Sequence, residues 1–233
     1  MKQIVFFAFA LVVLNACNQI RGSGNIVTEN RSTGNFTGVA AGGPYEVELK
    51  SGSVTEVKVE ADDNIIGLIE TRVSGSILKI TTKNGSNLNN GHFKVYVTAP
   101  EINEIKSSGA ASIVIKNILK SNDKITLEAS GAAAIKGEAD APEIYAEASG
   151  AADINLSGRT KNYKVEASGS ATIKTENLLS ETTKVHASGA ATAQVYASIT
   201  LDADADGAAT IHYKGAGIVS QKTSGAANIK KDD

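Results

Sequence analysis

From residue 107 onward, apolar and polar positions alternate with the period of two that marks strands buried on one face only. The alternation restarts at the tetrapeptide SGAA, with two single substitutions, at Ser108, Ser130, Ser149, Ser168, Ser188, Asp206 and Ser224, at spacings of 22, 19, 19, 20, 18 and 18 residues. Two residues past each glycine stands an alanine, from Ala111 to Ala227. Two further on stand Ile113, Ile135, Ile154, Ile173, Ala193, Ile211 and Ile229. A second alternating strand precedes each tetrapeptide, as in Ile125, Leu127 and Ala129, or Tyr163, Val165 and Ala167. Two short strands meeting at a corner with this period predict an all-β parallel β-helix, a solenoid of about six to seven coils of 18–22 residues, spanning 107–233. Length changes fall between the end of one strand and the start of the next, where a loop absorbs them.

The repeated glycines Gly109, Gly131, Gly150, Gly169, Gly189, Gly207 and Gly225 are expected at the corners, where the chain turns sharply and a positive φ is needed. The alanine that follows lets two sheets approach at a narrow edge. A structural corner therefore accounts for SGAA without any chemistry. The last coil ends in Lys230, Lys231, Asp232 and Asp233, charges suited to guarding an open edge.

Residues 35–106 alternate without the tetrapeptide, at Tyr45, Val47 and Leu49, at Val57 and Val59, and at Phe93, Val95 and Val97. They read as a strand-rich module with turns at Ser51–Ser53 and Ser74–Ser76 and a polar loop over 84–90. Residues 17–34 are polar with no sustained period and read as a tether. Residues 1–16 hold a basic start at Lys2 and an apolar run from Ile4 to Leu14, the layout of a secretory signal too short for a stable membrane span. Leu14 to Cys17 resembles the bacterial lipobox, so Cys17, the one cysteine of the sequence, is expected to carry acyl chains. Asn18 after it favours the outer membrane by analogy with Gram-negative lipoproteins, with surface and periplasmic orientation left open.

With 23 Lys and Arg against 25 Asp and Glu, no basic field draws the chain onto nucleic acid. The stretch from Phe36 to Leu49, the junction from Val97 to Ala111 and the SGAA corners together resemble the family called putative auto-transporter adhesin, head GIN domain. That resemblance covers roughly residues 36–230. It implies a β-helix-like fold on an exported protein, and no catalytic residues come with it.

The sequence itself offers no nucleophile elbow, HExxH or phosphate loop, and no cofactor is expected. His92, His186 and His212 fall on separate predicted elements, which argues against a shared histidine metal centre. Asp202, Asp204, Asp206 and Gly207 imitate the first half of a calcium loop, but Tyr213 stands where the bidentate glutamate belongs and no helices flank it. The repeat instead places Asp202 and Asp204 outward on a strand, with Lys184, His186, Ser220 and Lys222 as neighbours in the stack. The outward column Glu128, Glu147, Glu166 brings like charges together, to be relieved by Lys164, salt, a cation or a basic partner. On the other strand Thr172, Thr192 and Thr210 line up as a flat hydroxyl array able to meet a protein or a glycan. The resulting expectation is a non-catalytic envelope scaffold, held to the membrane through acylated Cys17, that binds an envelope or extracellular protein or glycan. A periplasmic sensor or assembly factor, or a polysaccharide-active β-helix enzyme, are the alternatives.

Overall fold

The computed structural model describes residues 19–83, 86–215 and 217–232. Almost every strand joins one stack, a β-solenoid of about seven turns. On the limb that enters each corner, Gly38–Gly43, Glu104–Gly109, Lys124–Ala129, the C-terminal halves of Ala134–Ala148 and Asp153–Ala167, then Leu178–Ala187, Thr200–Ala205 and Ile218–Thr223 pair in parallel, each with the next. On the limb that leaves it, Glu46–Ser51, Ser112–Ile115, the N-terminal halves of the same two long strands, then Thr172–Lys174, Thr192–Tyr196, Thr210–Lys214 and Asn228–Lys231 do likewise.

Alternation decides what goes inside. Val47, Ile113, Ile135, Ile154, Ile173, Ala193, Ile211 and Ile229 form one inward column, in register from coil to coil. Val39, Ile105, Leu127, Ala146, Val165, Val185 and Ala203 form the facing one. All but the terminal Ile229 are buried, and each fully buried Ile or Leu adds roughly 1.5–3 kcal/mol of apolar transfer free energy.

The corners continue the ladder through the turn. The amide after each glycine donates to the carbonyl of the glycine one coil earlier, as from Ala151 to Gly131 at 2.8 Å and from Ser170 to Gly150 at 2.7 Å. Gly150 and Gly169 have φ near +74° and +73°, and a Cβ on either would sit 3.0 or 2.8 Å from the carbonyl oxygen of the preceding glycine.

In three respects the structure goes beyond the sequence reading. The solenoid begins before residue 107, because Gly43 stacks beneath Gly109 and Tyr45 takes the slot of Ala111. Here Gly42, Gly43, Pro44 and Tyr45 replace the tetrapeptide, and the tyrosine ring, edge-on to Phe93 at 6.4 Å, fills the wider turn. The strand-rich module is thus continuous with the stack, and Ile77–Thr82 and Phe93–Ala99 add a further layer below it. Antiparallel strands Ile69–Ser74, Glu56–Asp62 and Ile26–Arg31 then complete that end. The central coils also carry a short third ladder, in which Leu119, Ala139, Gly158 and Leu178 stand in register.

Residues read as tether are folded as well: Gln19–Arg21 pairs with Asn87–Asn89, and Ile26–Arg31 with Glu56–Asp62. Asp62 clamps the turn between those two strands by accepting the amides of Gly24 at 2.6 Å and His92 at 2.7 Å. Ser23 and Asn25 side chains donate to Asp63, 2.6 and 2.9 Å away. The signal segment and Cys17 lie outside the described residues.

Gly150→Val and Gly169→Val are expected to destabilise the protein by about 2 kcal/mol or more, since a strained φ alone costs of order 1–3 kcal/mol and each side chain meets backbone. Gly34→Ala, where a Cβ meets nothing within 4 Å, should leave the thermal midpoint in place. Equal midpoints for all three would contradict the corner geometry. The Asp62 carboxyl is held below the ordinary range, first by the His92 amide and then by that of Gly24. Its stabilisation is therefore complete above the ordinary carboxylate pKa and is lost as pH falls through the depressed value. Hydrogen exchange should show the Gly24 and His92 amides opening in acid, and already open at neutral pH in Asp62→Asn.

Candidate binding surfaces of the coil stack

The entering limb exposes Glu128, Glu147 and Glu166 on successive strands, directly opposite one another. Each glutamate has a partner. Lys106 lies 3.1 Å from Glu128, the Tyr145 hydroxyl donates to Glu147 at 2.8 Å, and Lys164 lies 2.7 Å from Glu166. The Lys164 ammonium holds the Glu166 carboxyl below its usual range, while Glu104 and then Glu128 raise Lys106. Lys124 and Lys164 also lie within 5.4 and 5.1 Å of the Tyr145 ring centre. The column is thus met by Lys106 directly opposite on the neighbouring strand and by Tyr145 and Lys164 two residues along the same strands, and presents no free acidic stripe to a basic partner.

On the leaving limb Thr172, Thr192 and Thr210 stand in register, half-buried, with Asp153 on one side and Asn228 on the other. The neighbouring outward column reads Lys174, Gln194, His212 and Lys230. His212 Nδ1 lies 3.0 Å from Asp232, whose carboxyl it holds down. This face is flat and polar, without an outward aromatic ring among those columns.

Asp202, Asp204 and Asp206 are not gathered as one set. Asp202 faces Lys184 at 3.7 Å, whereas Asp204 faces His186 at 3.7 Å and Lys222 at 3.5 Å, and Asp206 accepts the Ser224 hydroxyl. The neighbours Lys184, His186, Ser220 and Lys222 are those the repeat register predicts.

A groove of about 590 Å³ runs along the third ladder, and sequence reasoning missed it. Asp140, Arg159 and Leu179 line it from one outward column, with Lys161, Glu181, Tyr196 and Ser198 beside them. Among the described residues neither Arg159 nor Lys161 makes an ion pair, and Leu179 is 50 % exposed. The available signal was the irregular length between the two strands of each coil, the place where these residues lie.

The architecture is that of a repetitive β-solenoid with polar faces. The family model described as "Putative auto-transporter adhesin, head GIN domain" matches residues 35–217, and the chain belongs to that family. Among solved structures, one called a putative adhesin from Bacteroides fragilis superposes with a TM-score of 0.83 at 23% identity, covering 91% of this chain and 100% of that one. A putative lipid binding protein from Parabacteroides distasonis gives a TM-score of 0.76 at 21% identity, covering 92% and 100%. A putative adhesin from Parabacteroides merdae gives 0.76 at 17% identity, covering 92% and 99%. No curated protein sequence matches.

Glu147→Ala should shift the thermal midpoint by no more than about 2 °C, because an exposed pair contributes well under 1 kcal/mol. A fall comparable to that of the corner variants would show that the Tyr145–Glu147 contact organises the sheet.

Proposed function

We propose that this protein is a lipid-anchored envelope scaffold that binds an extracytoplasmic protein or glycan without transforming it, using the groove along the third ladder as its contact. The observation that carries this reading is the contrast between the surfaces. Each glutamate of the column on the entering limb is paired, whereas in the groove, which Asp140 and Glu181 also line, Arg159 and Lys161 form no ion pair among the described residues, beside an exposed leucine and a tyrosine. Unpaired charged groups flanked by apolar surface are the composition of a recognition site. The names of the family and of the similar structures, adhesins and a lipid binding protein, support binding over catalysis. The interior is filled by Ile, Leu, Val and Ala, so a lipid ligand would lie against the outside.

The proposed anchor changes how the scaffold sits. Cys17 precedes Gln19, the first residue of a paired strand, by two positions, and two residues span at most about 7 Å. An acylated Cys17 therefore holds the antiparallel end of the stack against the membrane and leaves the last coil at the far end from it.

Acyl labelling and protease accessibility on intact cells test the anchor and its orientation, with Cys17→Ala as control. Labelling of the wild type alone is expected. Digestion on intact cells supports an adhesin, and protection until the outer membrane is opened supports a periplasmic scaffold or sensor. In the same strains, the double variant Arg159→Ala/Lys161→Ala should lower retention of the solubilised protein on isolated envelope material roughly tenfold, since contacts to charged groups are worth about 1.5–3 kcal/mol. Retention equal to wild type would remove the groove from the proposal.

A further inference from the structure

We infer that His186, Asp204 and Asp206 form a binding site for a divalent transition-metal ion of the Zn²⁺ or Mn²⁺ type. One ligand atom from each, an imidazole nitrogen and two carboxylate oxygens, all lie within 4.8 Å of one another. His186 and Asp204 are directly opposed on adjacent parallel strands, so the ladder fixes the separation of their backbones. Asp206 comes at the corner that follows, where its amide donates to the Ala187 carbonyl at 2.9 Å.

The repeat itself supplies the second observation. Corner slots equivalent to Asp206 hold Ser108, Ser130, Ser149, Ser168, Ser188 and Ser224, and the outward column that holds Glu128, Glu147 and Glu166 changes to His186 and then Asp204. Stacking asks for none of these departures, and the three meet at one place.

The side-chain geometry fits a bridging cation better than direct bonding. His186 Nδ1 and Asp204 Oδ2 are 3.7 Å apart, beyond hydrogen-bond length. Two ligands at about 2.0–2.2 Å from one metal stand about 3.0–3.5 Å from each other, so a small closure brings both onto an ion. Asp204 Oδ1 is shielded from water and has no hydrogen-bond donor, leaving an acceptor unsatisfied. The Ser224 hydroxyl engages Asp206 Oδ1, which orients that carboxylate and leaves its second oxygen for the ion. Lys222, 3.5 Å from Asp204, competes for the same oxygen, but its side chain is 76% exposed and free to swing into solvent. One imidazole and two carboxylates suit borderline divalent ions, with water completing the shell, whereas calcium takes six to eight oxygens. Asp202, turned toward Lys184, is outside the site.

Calorimetric titration of the full chain in detergent with Zn²⁺, repeated with Mn²⁺ and Ca²⁺, tests this site. Binding of one Zn²⁺ or Mn²⁺ per chain is expected, weakened at least tenfold in His186→Thr and Asp206→Ser and unchanged in Asp202→Ala. Asp206→Ser restores the residue used elsewhere in the repeat and His186→Thr places a strand-forming residue at an outward position, so both should keep the wild-type thermal midpoint without metal. The inference is overturned by the absence of stoichiometric binding, by His186→Thr and Asp206→Ser variants that bind like wild type, which would move the ion to a site such as His212 and Asp232, or by calcium binding that requires Asp202.

Discussion

At every corner one coil approaches the next backbone to backbone, and the rest of the molecule follows from keeping that approach open. The amide after each glycine reaches the previous glycine's carbonyl at 2.7–3.1 Å, from Ala110 on Gly43 to Ala226 on Gly207. A side chain there would push the strands beyond the spacing of a parallel ladder. With the corners closed, the strands on both limbs fall into register without slippage, and an inward column mostly of isoleucine meets one of valine, isoleucine, leucine and alanine coil after coil. The cost of glycine in the unfolded chain is offset by hydrogen bonds that run unbroken around the turn.

Because the interior repeats, the outside is free to differ from coil to coil. The entering limb pairs its acids with lysines and a tyrosine on the same or the adjacent strand. The leaving limb offers hydroxyls and amides. Between the limbs, where coil length varies, charged groups of both signs gather beside an exposed leucine and a tyrosine. A solenoid of this kind separates the residues that hold the fold from those that face solvent, which is why change in one set need not disturb the other.

The sequence disclosed the repeated part because each repeat states the same physical pattern: glycine, then alanine two residues on, then an inward residue two further. It also disclosed the register, placing Lys184 beside Asp202 and His186 beside Asp204. The first coil escaped because Gly42, Gly43, Pro44 and Tyr45 share only the glycine with SGAA, although Tyr45, Val47 and Leu49 alternate as Ala111, Ile113 and Ile115 do. The strands in 19–31 escaped for a different reason. Their short runs, such as QIR and IVTENR, carry little apolar alternation, and what holds them is Asp62, Asp63 and Asn64, about forty residues away. The third ladder was hidden in segments whose variable length reads as loop.

Stack order and chain order differ at one place only. The coil formed by Gly38–Gly43 and Glu46–Ser51 is flanked on one side by Ile77–Thr82 and Phe93–Ala99 and on the other by Glu104–Gly109 and Ser112–Ile115. An early piece of chain is thus enclosed by two later ones, and the pairings around it are complete only with residue 115. Beyond it every coil docks on the one made 18–22 residues before, as a layer adds to the face of a crystal. The sequence-distant pairings therefore belong to the antiparallel end, and the remaining coils form a series of like layers whose number evolution can extend or trim one at a time.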